Sequence, residues 1–383
     1  MSFKHLSLLA LASYALAQNT TVPTLEAALA STASLSALSG VLAMYPNLLG
    51  TLNGATDITI LAPSNDAFGA VDNATLTSLT ANEGLITALL QYHVLNGSYP
   101  ASAVTNTSTF IPTYLTNPLF TNVTGGQVVD AVSSGDNVTF YSGLLSNSSV
   151  TTANVNFTGG IIHIIDRLLV LPEVASDTLS ALGLTSVRGA LNRTNLVETV
   201  NTTPNITIFA PSNEAFQSIG SALGNLTTED LTDILTYHCV AGTIGYSSGL
   251  ENGTELETVN GESLTITLGQ NGSVFVNNAR VITADILIAN GVVHVIDELL
   301  NPSNDTAANP TATGGAPVFP GASSVSEAPF TSGQANPTTT VAPAATSNQA
   351  PGQTTTSSSR AAAAPTGVVG MGALLGAAAV YLL

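Results

Sequence analysis

The sequence predicts an α+β chain made of two tandem copies of one domain, and three observations predict it. ITILAPSNDAF (residues 58–68), YHVLNGSY (92–99) and GGIIHIIDRLLVLP (159–172) return in the same order as ITIFAPSNEAF (206–216), YHCVAGTIGY (237–246) and NGVVHVIDELLNP (290–302). Matched segments in fixed order, separated by stretches that differ, mean a duplicated domain. Within each copy, helical periodicity, strand alternation and hairpin turns all occur. No regular strand-helix-strand alternation does, so helices should pack beside a sheet.

Residues 58–61 and 206–209 are β-branched runs stopped by Pro63 and Pro211. The Ser-Asn that follows is turn and N-cap chemistry, so each strand should lead through a tight turn into a short helix. Ile86, Leu89, Leu90 and His93 fall at i, i+3, i+4 and i+7, as do Leu231, Ile234, Leu235 and His238. Each set marks an amphipathic helix with a histidine on its apolar stripe. Thr227 with Asp230 forms a capping box that opens the second of these helices, with Asp in place of Glu. Leu264, Ile266 and Leu268 alternate with threonines before Gln270-Asn271-Gly272 turns the chain into Val274 and Val276, a hairpin whose counterpart is marked by Ser134-Gly135-Asp136-Asn137. The closing strands put His163 on one face with Ile161 and Ile165, and His294 with Val292 and Ile296. The first copy is longer between its two histidines. Its extra residues, around Asn106 and Asn122, are expected to form a surface loop.

A strand ending in APSN-x-AF, a Tyr-His pair further on and a closing (I/V)(I/V)H(I/V)ID strand resemble the segments of the fasciclin domain, found in adhesion and matrix proteins. The resemblance spans roughly residues 22–302 and implies a β-sandwich or wedge with packed helices in each copy. In animal fasciclin-domain matrix proteins an Asp-Ile pair before the closing strand and the Tyr-His segment are implicated in integrin recognition. Carried over, these are Asp285-Ile286 and Tyr237-His238 in the second copy and Tyr92-His93 in the first, which has Asn154-Val155 where the acidic pair would stand. Each also has a structural reading: Ile286 as core, Asp285 as a turn cap, the histidines as buried hydrogen-bonding groups.

Residues 1–17 read as a secretory signal peptide: Lys4 and His5, an apolar run, then Ala15-Leu16-Ala17. The first domain is expected over 18–172 and the second over 173–302. Residues 303–357, rich in Ser, Thr, Pro, Ala and Gly, should be a solvated, disordered and O-glycosylated stalk. Residues 358–383 read as a removed glycosylphosphatidylinositol-anchor signal, with an apolar tail and attachment at one of Ser357, Ser358 or Ser359.

Only 8% of residues are charged and the net charge is −18, which excludes a basic nucleic-acid footprint. Glycans should supply the solubility that charge does not. Asn-x-Ser/Thr sequons stand at Asn19, Asn73, Asn96, Asn106, Asn122, Asn137, Asn147, Asn156, Asn192, Asn201, Asn205, Asn225, Asn252, Asn271 and Asn304. Cys239 is the only cysteine, which rules out an intrachain disulfide and suits a small buried hydrophobe.

Two histidines per copy on apolar faces, with no HxH, HExxH or CxxC, give too few ligands for zinc. No GxSxG, GxGxxG or GxxxxGK[ST] is present, so neither a catalytic nucleophile nor nucleotide binding is indicated. No cofactor and no enzyme activity are expected. Signal peptide, tandem domains, stalk and anchor together resemble cell-surface adhesion or wall-organising glycoproteins, fungal rather than plant, whose partners would be surface or wall glycans and proteins. The alternative is a module that binds a small lipid or sterol in an apolar cleft.

Overall fold

The computed structural model describes residues 22–135, 137–270, 272–304 and 306–334. In each copy, helices precede the first strand of the repeat: Leu25–Ser31, Ser36–Met44 and Pro46–Gly54 in the first, Ala175–Ala181, Thr185–Arg193 and Val197–Thr202 in the second. The first strands, Ile58–Pro63 and Ile206–Pro211, are buried along their whole length. Each then enters a short helix capped by a serine: Ser64 accepts the Ala67 N–H, and Ser212 that of Ala215. The serine of APSN is thus a helix cap, as the sequence predicts.

Each domain holds one seven-stranded sheet. From edge to edge the first runs Val94–Asn96, Ile58–Pro63, Gly160–Ile165, Asn147–Phe157, Asn137–Tyr141, Val128–Ser134 and Thr109–Pro112. In the second, Cys239–Val240, Ile206–Pro211, Gly291–Ile296, Ala279–Ile288, Val274–Val276, Ser263–Leu268 and Glu255–Glu257 follow the same path. The first and closing strands of each copy lie parallel in the sheet, and all other pairings are antiparallel. The glycines of GGIIH and NGVVH make that parallel pair possible. A Cβ on Gly160 would meet Ile58 O at 1.9 Å, and one on Gly291 would meet Ile206 O at 1.8 Å.

The extra residues of the first copy are not a free surface loop. Most lie between the strands Thr109–Pro112 and Val128–Ser134, where Leu115 and Gln127 are fully buried. Gln127 Nε2 donates to Ile288 O at 3.0 Å, and Asn122 N–H to Ala289 O at 2.8 Å. The insertion therefore builds the seam between the domains. Leu144 adds to it, packing within the core of the second domain although it belongs to the first repeat.

The segment expected to begin the solvated stalk is also placed differently over residues 306–334, which lie along the second domain. Val318 is buried, and Phe319, Ala322 and Phe330 pack against the domain core. Near its start, Gly315 N–H donates to Asp297 Oδ2 at 2.8 Å and Arg280 to Thr313 O at 2.7 Å. Apolar side chains set at irregular intervals in a polar stretch follow neither the strand nor the helix period. They dock an extended chain that has no secondary structure of its own. The signal peptide, the stalk beyond residue 334 and the anchor signal with Ser357, Ser358 and Ser359 lie outside the described residues.

Candidate functional site

The two Tyr-His pairs sit at the C-terminal ends of the helices Glu83–Tyr92 and Thr228–Tyr237, each histidine being the residue that closes the helix. His93 Nδ1 donates to Leu89 O at 2.8 Å, and its Nε2 accepts the Leu169 N–H at 3.0 Å. In the second copy His238 Nδ1 donates to Ile234 O at 2.7 Å, and Nε2 accepts the Leu300 N–H at 3.0 Å. A ring that donates from one nitrogen and accepts on the other is neutral. Burial accordingly pushes both histidines from 6.5 down to about 4. Each ring ties the end of its helix to the segment that leaves the closing strand. The tyrosines are as deeply placed: Tyr92 Oη donates to Val128 O at 2.9 Å, and Tyr237 Oη to Ser263 O at 3.1 Å.

Asp285 lies at a bulge in the strand Ala279–Ile288, with φ at 62°. Its Oδ1 accepts the Ser247 N–H at 2.8 Å, and Oδ2 accepts the Ser247 hydroxyl. Asn154 has φ at 59° and accepts the Ala101 N–H on Oδ1 at 3.0 Å. Both residues therefore hold the first turn of an equivalent short 3-10 helix, Ala101–Ala103 or Ser247–Gly249. Left-handed backbone is well suited to Asn and Asp. Both bulges are tied to the strand histidines: the Asn154 and Asp285 N–H groups donate to His163 and His294 Nδ1, and the rings' Nε2 atoms donate in turn to Tyr99 O and Gly245 O, each at 2.8 Å. Ile286 is fully buried.

The structure thus does not gather the six residues singled out for partner recognition into one surface. Tyr92, His93, Tyr237, His238 and Ile286 are buried, and the half-buried Asp285 carboxylate is taken up by Ser247. Among the described residues no group of three or more His, Cys, Asp or Glu side chains is placed to hold a metal ion. Cys239 is buried, donates to Leu235 O, and has its thiol pushed up to about 12 by burial.

Sequence reasoning missed the seam. Phe110 of the first domain stacks on Tyr246 of the second, with ring centroids 4.0 Å apart and planes 10° from parallel. Beside them the Asp130 carboxyl is buried and bonded on one oxygen by Ser108, while Oδ1 has no partner. Burial, with the Asp285 charge as a lesser cause, pushes Asp130 up to about 7. An apolar cleft of about 430 Å³ opens next to this cluster, lined by Phe110, Ile244, Tyr246, Leu250 and Leu256. Phe110, Asp130, Leu250 and Leu256 lie outside the repeated phrases, and although Ile244 and Tyr246 close one of them, nothing in that phrase points across to the other domain.

Of the sequons, Asn73, Asn96, Asn106, Asn122, Asn137, Asn147, Asn156, Asn192, Asn225 and Asn252 are exposed. Asn201, Asn205 and Asn304 are half-buried. Asn19 lies outside the described residues, as does Asn271.

Comparison with known proteins agrees with the repeat. The fasciclin domain family model matches residues 33–172 and 182–302. A fasciclin-like arabinogalactan protein of Arthroderma benhamiae is 37% identical over 311 residues, 80% of this chain and 73% of its own length. A fasciclin-like arabinogalactan protein of Cercospora beticola is 30% identical over 294 residues, 75% of this chain and 78% of its own. A solved domain pair from the insect cell adhesion molecule Fasciclin I covers 70% of this chain and 96% of its own at 20% identity, with a TM-score of 0.34.

Proposed function

The chain belongs to the fasciclin-domain family, and from that premise we propose that it is a cell-surface adhesion or wall-organising glycoprotein, with surface or wall glycans and proteins as partners. The observation that carries this reading is the pairing of two fasciclin domains across a packed seam, with ten sequons exposed on their surfaces. The relatives named as arabinogalactan proteins support a glycosylated extracellular setting. Two weak contact surfaces held together gain effective concentration without a strong site on either. That accounts for recognition segments spent on internal hydrogen bonds. Secretion through residues 1–17 and a lipid anchor near Ser357 to Ser359 complete the proposal.

The test is immunolocalisation on intact producing cells before and after phosphatidylinositol-specific phospholipase C, with cell aggregation scored in parallel. Surface label released by the lipase, and reduced aggregation of cells lacking the protein, are expected. Label confined to the cell interior, or aggregation unchanged by its loss, would sink the adhesive reading.

The seam cleft favours a second reading, a small apolar ligand, since its 430 Å³ is within the range of small-molecule pockets. Lipid extracted from the purified native protein and identified by mass spectrometry would support it. Extracts matching a buffer blank would not.

A further inference from the structure

Two glycines on the helical side of the second domain leave room for the segment that follows the domain. A Cβ on Gly189, inside the helix Thr185–Arg193, would meet Phe330 O at 1.8 Å, and one on Gly220 would meet Val325 Cγ2 at 2.2 Å. Glycine within a helix destabilises it relative to alanine, so its presence calls for a reason. The first domain supplies the control. Its helix SALSGVLAM aligns with TSVRGALNR and places Gly40 opposite Gly189, yet a Cβ on Gly40 would meet nothing within 4 Å. Packing inside the domain therefore does not demand the glycine; the docked segment does.

The contact is built along its length. Val325 N–H donates to Gln217 O at 3.0 Å, and Ser221 N–H to Ser323 O at 3.1 Å. Ser323 N–H donates to Ser221 Oγ at 2.7 Å, and Gln217 Nε2 to Ser326 O at 3.0 Å. Phe330 anchors the far end. Its ring meets Phe216 edge-on at 6.0 Å, and the Arg193 guanidinium stands 5.5 Å from the ring centroid. Phe330 also has φ at 63°. A bulky residue is strained in that region, so its surroundings must impose the conformation.

We propose that this face of the second domain is a groove for an extended, nearly uncharged peptide with an aromatic anchor. Residues 318–330 of the same chain fill it at rest, and the same segment of a second copy is the partner it accepts when its own is released. VFPGASSVSEAPF is the sequence seen to fit, and it carries a single charge, Glu327. Release does not require the domain to unfold. The segment contributes few buried apolar groups and a handful of backbone hydrogen bonds, which places it among the elements that open locally.

The first domain offers only the anchor end of such a site. Aligning NDAFGAVD with NEAFQSIG puts Asp72 where Gly220 gives space, and the next residue is the sequon Asn73 in place of the pairing Ser221. Exchange between copies should therefore run through second domains alone. The groove and its occupant are independent of any adhesive role, because the readout is peptide binding and not attachment.

The experiment uses the full chain with Val325→Ser and Phe330→Ser together, to release the resident segment, and a fluorescent synthetic peptide of residues 313–334. Anisotropy titration should show saturable binding to the released variant and at least tenfold weaker binding to the wild type, where the resident competes. Adding Gly189→Val to the released variant should cost at least another tenfold. Gly220→Ala serves in its place should Gly189→Val melt early. Wild-type protein should also form a concentration-dependent dimer in sedimentation that Phe330→Ser removes. No binding by the released variant, equal binding by a scrambled peptide, or binding indifferent to the filled glycine overturns the groove. A wild-type monomer at every concentration overturns the second copy as partner.

Discussion

The backbone N–H of Asp285 donates to His294 Nδ1 at 3.3 Å, and Asn154 stands in the same relation, at the same distance, to His163. The acidic residue of the second domain is thus the counterpart of a neutral amide in the first, and the shared job is to hold a left-handed bulge. What that job needs is a short side chain with an acceptor oxygen.

Asp285→Asn should therefore leave stability within about 0.5 kcal/mol of wild type. Asp285→Ala should lose roughly 1–2 kcal/mol, because alanine in a left-handed conformation is strained and the Ser247 N–H loses its acceptor. Urea unfolding of the full chain measures both. Equal losses for the two variants would mean that the negative charge, not the geometry, is what the site uses.

The helix-closing histidines give a second expectation. Their folded pKa, about 4, lies below the 6.5 of the free side chain, so the unfolded chain binds more protons between those values. The stability they confer is present above pH 6.5 and is lost as pH falls toward 4. His238→Ala should cost about 1–3 kcal/mol at pH 7.5 by stranding the Leu300 N–H and the Ile234 carbonyl. His238→Gln, which can donate and accept, should recover part of this and soften the acid loss. An acid limb of the same depth in His238→Gln and wild type would show that the ring does not titrate with unfolding.

Asp130 works in the opposite sense. Its folded pKa, about 7, lies above 3.8, so the folded chain holds a proton that the unfolded chain releases. Its contribution is full below about pH 4 and is lost as pH rises through 7. The groups facing it are the Ser108 hydroxyl and, across the seam, the Asp285 carboxylate. Asp130→Asn should stabilise the protein by about 1–3 kcal/mol at pH 8 and change little at pH 4. A gain of equal size at both pH values would assign the effect to packing.

Much of this architecture was legible from residue patterns. The duplicated phrases fixed the domain count, because glycine, proline, serine and histidine stand in them for defined backbone jobs: Gly160 and Gly291 for close strand approach, Ser64 and Ser212 for helix caps. The histidine pattern pointed to buried hydrogen bonds, and both helix-end rings make them. The seam was not legible. Phe110, Gln127 and Leu144 recur in no motif, Tyr246 closes a repeated phrase that gives no sign of its stacking partner, and what each touches depends on how two finished domains meet. Residues 318–330 were hidden for a related reason: their composition is that of a stalk, and only the empty space over Gly189 and Gly220 shows that the domain has a place for them.

Glycan occupancy gives the last expectation, because the atom that carries an N-linked sugar is the side-chain Nδ2. At Asn205 that atom donates to Thr124 Oγ1 at 2.8 Å while Oδ1 accepts the Thr124 N–H at 2.8 Å, so the side chain bridges the two domains. At Asn201, Nδ2 donates to Ser176 Oγ at 3.0 Å and Oδ1 accepts the Ser176 N–H at 2.9 Å. A sugar at either position would displace a hydrogen bond in a half-buried setting and force its bulk into packed surface. Asn73, Asn96, Asn137 and Asn225, by contrast, are exposed. Glycopeptide mapping of the folded protein purified from its producing cells should find sugar on those four and bare asparagine at Asn201 and Asn205. High occupancy at Asn205 in protein that melts as one cooperative unit would show that the domains do not meet through Thr124 in solution.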